Sequence, residues 1–175
     1  VDQVRRHTRL KEYGRSAKIL DVGCGTGWHV KQFAAQRYHC IGLDQSRAML
    51  DRARRNINGK RNRRTPDARL VQGDMLDPNT FRAGEFTHVT CFYFTLYYAP
   101  KPEDLLRNIA HWLKPGGWCG VHVCDPARFD PVLDAANPLV GISRQKYMPQ
   151  RQTESKVFLQ SCVYRSHFEL DRKKH

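Results

Sequence analysis

The sequence predicts an α/β fold built on a doubly wound, mostly parallel sheet. Two observations carry that expectation. Short apolar runs alternate with helix-patterned segments along residues 16–126. The first run, Lys18-Ile19-Leu20, feeds into Asp21-Val22-Gly23-Cys24-Gly25-Thr26-Gly27, and the helix-like stretch Trp28 to Gln36 follows. A strand that breaks into three alternating glycines before a helix makes a turn where main chain meets a ligand. Glycine tolerates positive φ there, and the missing Cβ lets a bulky group lie on the backbone. The turn reads as a nucleotide-type cofactor site.

The spacing discriminates between cofactors. A dinucleotide fingerprint, G-x-G-x-x-G, needs a last glycine where this chain has Trp28, so an NAD reading loses its helix-packing glycine. Asp21, two residues before Gly23, is placed to face a cationic group such as an amino-acid ammonium. The pattern D-x-G-x-G-x-G resembles the first motif of the class I S-adenosylmethionine-dependent methyltransferases. That resemblance implies a Rossmann-like fold, S-adenosylmethionine as cofactor, and Asp21, Gly23, Gly25, Gly27, Trp28 and His29 around it. For His29, a contact with the methionine end and an ordinary helix-surface position both stand.

The downstream elements fall in the order this family has. Cys40-Ile41-Gly42-Leu43-Asp44 is a strand ending in an acid about 20 residues after the turn, as expected for a carboxylate that takes ribose hydroxyls, with Gln45 next to it. Leu70-Val71-Gln72-Gly73-Asp74-Met75 resembles the place where methyltransferases hold the adenine amino group. Phe86 to Tyr98 is a long apolar and aromatic strand, and after Ala99-Pro100 comes a helix with Leu105, Leu106, Ile109, Trp112 and Leu113 on one face. Leu113-Lys114-Pro115-Gly116-Gly117 is a helix stop that resembles the family's signature there, and the strand Trp118 to Cys124 follows.

Strands are thus expected near 18–22, 39–44, 69–73, 87–94 and 118–124. The resemblance implies a seven-stranded order of 3-2-1-4-5-7-6. A sixth strand fits within 156–170 and no seventh is left, so the chain is expected to be a fragment truncated before the last strand; a natural minimal domain is the alternative. The expected organisation is one domain over 1–175, with a cofactor-binding core at 16–126, a substrate-side cover at 126–155 and a terminal strand at 156–170.

Composition fits one globular domain: 175 residues, 40% hydrophobic and 27% charged. No stretch approaches a membrane span, and the start has no signal-like apolar region, so a cytoplasmic location is expected, with the nucleus left open. The six cysteines show no C-x-x-C pair and no metal-ligand spacing, and are expected to be small buried hydrophobes; no metal site is expected. The formal net charge is +13. Residues 47–69 hold nine basic residues against Asp51 and Asp67, a segment expected at the sheet edge opposite the cofactor. Nucleic-acid docking through the basic loop 52–69 and a plain solvated loop are both open readings.

Methyl transfer needs a nucleophile held on the methyl's axis and, for some acceptors, a proton acceptor. The place to look is Phe92-Tyr93-Phe94-Thr95-Leu96-Tyr97-Tyr98. It lacks the Asn/Asp-Pro-Pro-aromatic motif of enzymes that methylate exocyclic amines of nucleobases, and Cys91 after Thr90 reads as core. The segment resembles the loop of the ubiquinone and menaquinone methyltransferases. Thr95, Tyr97 and Tyr98 are the substrate-side candidates, Phe94 is a cofactor contact, and no catalytic base is identified. His122 is expected to be a packed strand residue, and the stretch 126–155 reads either as a substrate cover, joined by Arg128, Phe129 or Tyr147, or as an irregular surface loop. The expected activity is methyl transfer to a small or medium-sized acceptor. The alternatives are an RNA or protein methyltransferase, a non-catalytic S-adenosylmethionine-binding scaffold, and, more distant, an aminopropyl transferase or an NAD enzyme. Oligomeric state is left open.

Overall fold

A computed structural model describes residues 2–59, 67–124, 154–158 and 163–167. They fall into two compact units, residues 1–123 and 124–175. In the first, helices α1 (Asp2–His7) and α2 (Leu10–Tyr13) precede β1 (Lys18–Val22), α3 (Trp28–Ala35), β2 (His39–Asp44), α4 (Arg47–Asn58), β3 (Ala68–Gln72), β4 (Phe86–Cys91), α5 (Pro102–Trp112) and β5 (Leu113–Val121). The sheet runs in the order β3-β2-β1-β4-β5, every neighbouring pair parallel. The Rossmann-like expectation is met.

Burial follows position in the sheet. The central β4 is buried at every residue and β1 at all but its first, while the edge strand β3 is only partly covered. Strands covered on both faces by helices carry apolar residues in succession rather than alternation. Neighbours along β1 then point to opposite layers: Ile19 packs with Val30, Phe33 and Leu50, whereas Leu20 packs with Phe86, Leu105 and Trp112. The Trp112 indole is buried without penalty because Nε1 donates to the Pro78 carbonyl at 2.9 Å.

Helix ends follow local chemistry. Ser46 caps α4, its Oγ accepting from Met49 N–H at 3.3 Å, and Gly59 at φ +65° ends it. Pro102 opens α5 with Glu103 and Asp104 in its first turn. Leu105, Ile109 and Trp112 face the core as expected, but Leu106 is exposed and Leu113 already belongs to β5. That strand starts five residues earlier than expected because Leu113 pairs with Phe86 and Trp118 with His88. The residues between, including Gly116 at φ +75°, form a bulge.

The fourth strand is shorter than expected. It stops at Cys91, because Tyr93 (φ +50°) and Phe94 (φ +63°) are both left-handed, and Thr95–Tyr98 closes as a 3-10 turn. His122 lies past β5 and is exposed rather than packed. Cys24, Cys40 and Cys91 are buried as expected, whereas Cys119 is exposed.

In the second unit, β6 (Glu154–Phe158) and β7 (Val163–His167) pair antiparallel, Glu154 opposite His167. Two strands stand where one terminal strand was expected within 156–170. Residues 125–153, with Arg128, Phe129 and Tyr147, lie outside the described residues, as do Lys60 to Pro66. Among the described residues no helix is long and apolar enough to cross a membrane.

Candidate cofactor and active site

The glycine turn is held open at the carboxyl ends of β1 and β2. Cys24 N–H donates to the Leu43 carbonyl at 2.9 Å, and Gly25 N–H donates to Asp44 Oδ2 at 2.8 Å. The other Asp44 oxygen accepts from Ser46 N–H at 2.9 Å. One carboxylate thus fastens the turn to the start of α4. Gly23 sits at φ +65°, where an added Cβ would run into the Thr95 side chain, and Gly27 at φ +73°, where it would meet Ala53 Cβ at 2.8 Å. Gly25, at φ +51°, faces open space.

Two cavities meet at Gly23. One, of about 190 Å³, is walled by Asp44, Gln45, Met75, Thr95 and Tyr98. The other, of about 390 Å³, is walled by Asp21, Gly25, Trp28, His29, Phe92 and Tyr93. The structure therefore gathers most of the sequence-picked residues at one sheet edge. Gly27 is instead the buried entry to α3. Asp74 is exposed and outside both walls, its Oδ1 accepting from Leu76 N–H at 2.8 Å. Phe94 stacks on His122 at 4.5 Å between ring centroids and tilts against Tyr97 at 6.1 Å.

Electrostatically the centre is Asp21, which is 1% exposed. Thr90 Oγ1 donates to its Oδ1 at 2.6 Å, while Oδ2 is buried with no hydrogen-bond partner. Burial pushes its pKa up to about 7, against the smaller lowering by Thr90. His29 Nδ1 stands 3.7 Å from Oδ2, too far for a hydrogen bond. Burial lowers the His29 pKa, so the ring is neutral at pH 7. Its ring lies 5.1 Å from both Trp28 and Phe92 and 5.8 Å from Tyr93, centroid to centroid.

Sequence reasoning assigned no site role to Thr90 or His122, and within the segment 92–98 it did not single out Phe92 or Tyr93. Thr90 follows from register alone, since it pairs with Asp21 across β1 and β4. The aromatic residues needed the left-handed bend, which no glycine marks.

Comparison with known proteins identifies the class. Residues 19–117 match the methyltransferase domain family, and the chain belongs to it. It is 39% identical over 132 residues to a dTDP-4-amino-2,3,4,6-tetradeoxy-D-glucose N,N-dimethyltransferase of Saccharopolyspora spinosa, covering 73% of this chain and 46% of that protein. A ubiquinone biosynthesis O-methyltransferase of Marinobacter nauticus is 33% identical, covering 57% and 41%. Among solved structures, an S-adenosylmethionine dependent methyltransferase from Mesorhizobium loti superimposes with a TM-score of 0.53 at 26% identity, over 67% of this chain and 49% of that one. The chain spans about half the length of the curated relatives it matches.

Proposed function

We propose that this chain is the cofactor-binding core of an enzyme that transfers a methyl group from S-adenosylmethionine to a small acceptor, with an amine nitrogen as the favoured nucleophile. The observation that carries the cofactor is the orphaned Oδ2 of Asp21, buried beside the glycine turn, with Asp44 at the far side of Gly23. A buried carboxylate oxygen without a partner calls for a donor, and an ammonium group supplies both hydrogen bond and charge. Gly25 leaves its side of the turn open, and Asp44, Gln45 and Met75 wall the smaller cavity. These residues fit a ligand with an amino-acid end and a nucleoside end.

When bound, S-adenosylmethionine supplies an electrophilic methyl group on a sulfonium. This chain's residues then bind, orient and exclude water. Asp21 holds the ammonium and Asp44 faces the ribose hydroxyls. Trp28, His29, Phe92 and Tyr93 form an aromatic wall suited to cationic groups. Tyr97 and Tyr98, both exposed, shape the acceptor's entrance. Among the described residues His29 is the one imidazole on the walls of either cavity, and its lowered pKa favours the neutral ring that can take the proton an amine releases. The amine is favoured because the Saccharopolyspora relative is named for methylation of an amino sugar and is more identical than the O-methyltransferase.

Isothermal titration tests the reading, with S-adenosylmethionine and NAD in parallel. Binding of the first alone is expected. It should tighten as the pH rises through 7 in the wild type, because Asp21 must ionise to meet a cation, and lose that pH dependence in Asp21→Asn. Binding of NAD, or of neither by a folded chain, overturns it.

A further inference from the structure

The sheet edge opposite the cofactor cavities carries a second, basic trough that the methyl-transfer reading leaves without a task. A cavity of about 440 Å³ crosses the starts of three adjacent strands. Lys18 opens β1, His39 opens β2 beside it in register, and Arg69 is the second residue of β3. Arg15 joins them from the turn before β1. Arg69 also lines a separate groove of about 650 Å³ that reaches Arg82.

Two acids line these walls. Glu85 holds Lys18 Nζ at 2.6 Å, and Asp67 lies 3.6 Å from His39 Nδ1, an ion pair only when that ring is protonated. Arg15 and Arg69 are exposed and have no side-chain partner among the described residues.

We propose that this edge docks the phosphate backbone of a nucleic-acid duplex, independently of methyl transfer. Charge complementarity selects the occupant. Guanidinium groups fork onto phosphate oxygens, and here the backbone that carries them belongs to β3 and to the turn before β1. Strands about 4.8 Å apart give a row about 10 Å long over three strands, a length along which one strand of a duplex carries about three charges at one per ~3.4 Å. Among the described residues no Trp, Tyr or Phe lines the first cavity, so none of them stacks there on an unpaired base. Backbone contacts without base readout give affinity without sequence preference. Since the cofactor cavities open at the other edge, the duplex is a docking partner and not the methyl acceptor.

Fluorescence anisotropy with a short labelled DNA duplex and an RNA duplex of the same length tests the proposal. Wild type is expected to bind both at low salt, with a log–log salt slope that falls by about 2 in Arg15→Ala/Arg69→Ala, at 0.9 per lost phosphate contact. Affinity at low salt should drop about tenfold or more in that variant. Arg15→Lys/Arg69→Lys should restore the slope, and Lys101→Ala/Arg107→Ala on the α5 side should bind as wild type. Thermal melts of each variant separate lost contacts from lost folding. No duplex binding by folded wild type, an unchanged slope in the alanine pair, or equal binding of polyglutamate-matched anionic competitor surfaces, meaning acidic polypeptide binding as tightly as duplex, overturns the proposal. S-adenosylmethionine titration is a separate readout, so this idea and the methyl-transfer reading fail independently.

Discussion

Asp21 and Thr90 lie side by side on β1 and β4, and the 2.6 Å hydrogen bond between them satisfies one carboxylate oxygen while the other stays unpartnered. An acid held this way prefers its protonated form. With its pKa raised from 3.8 to about 7, it favours the ligand-free fold fully below pH 4, and that contribution is lost as the pH rises through 7.

Asp21→Asn removes that titration. Relative to wild type, the ligand-free variant should gain stability between pH 4 and pH 8, by at most about 4 kcal/mol at 1.36 kcal/mol per unit. Urea melts at several pH values measure it. A constant difference across that range would show that Asp21 is not the strained acid the geometry makes it.

His88 titrates in the opposite sense. It is 1% exposed, its Nδ1 lies 2.9 Å from Thr87 Oγ1, and its Nε2 is buried without a partner. Burial lowers its pKa from 6.5 to about 4, so its contribution is present above 6.5 and lost as the pH falls through 4. Between pH 4 and 6.5 the Asp21 and His88 trends oppose each other, and wild-type stability should change little on their account. His88→Phe keeps a ring against Tyr13, 5.3 Å away, and exposes the Asp21 trend. Its melts should show stability falling with pH across that window; a rising profile refutes the assignment.

How much of this was legible in the sequence depends on range. The five strands, Asp21 and the glycine turn were readable because each is set by local chemistry: apolar runs, a positive-φ turn, and an acid at a strand end. The strand order was implied only by the family resemblance. The end of β4 was not, since Tyr93 and Phe94 take left-handed backbone without a glycine to announce it. Leu113 gave no sign of its pairing with Phe86, because a bulge shifts the register and a Pro-Gly-Gly run reads locally as a helix stop. The contact between Phe94 and His122 joins residues from two loops, and no period in either segment encodes it.

Asp44 couples the turn to the rest of the site, and two substitutions separate its tasks. Asp44→Ala loses the bonds from Gly25 and Ser46 N–H, which at about 1–3 kcal/mol for charge-assisted bonds should lower stability measurably. Asp44→Asn retains an oxygen for one of them and should recover part of the loss. Both should weaken S-adenosylmethionine binding by tenfold or more in titration calorimetry, because neither presents a carboxylate to the ribose. An Asp44→Asn chain that binds as wild type would leave Asp44 a purely structural residue.

The two exposed-edge glycines of the turn should respond differently to the same added methyl. At Gly25 an alanine meets nothing within 4 Å and pays only for its φ of +51°, about 1–2 kcal/mol. At Gly23 the same φ cost applies, and the new Cβ must also displace Thr95, running into its Cγ2 methyl first and its Oγ1 at 2.7 Å. Thr95 is pinned by its own hydrogen bond to the Phe92 carbonyl at 2.7 Å, so it yields only by disturbing the left-handed bend that carries Tyr93 and Phe94. Gly23→Ala should therefore be the more destabilising of the two in denaturant melts, and Gly23→Ala/Thr95→Ser, which removes the clashing methyl, should recover part of the difference. For ligand binding the order is set by space. Gly25→Ala fills the open side of the larger cavity and should weaken S-adenosylmethionine binding while folding nearly normally. Equal stability loss at both positions would mean that the Thr95 contact gives way freely and that the bend is not coupled to the turn.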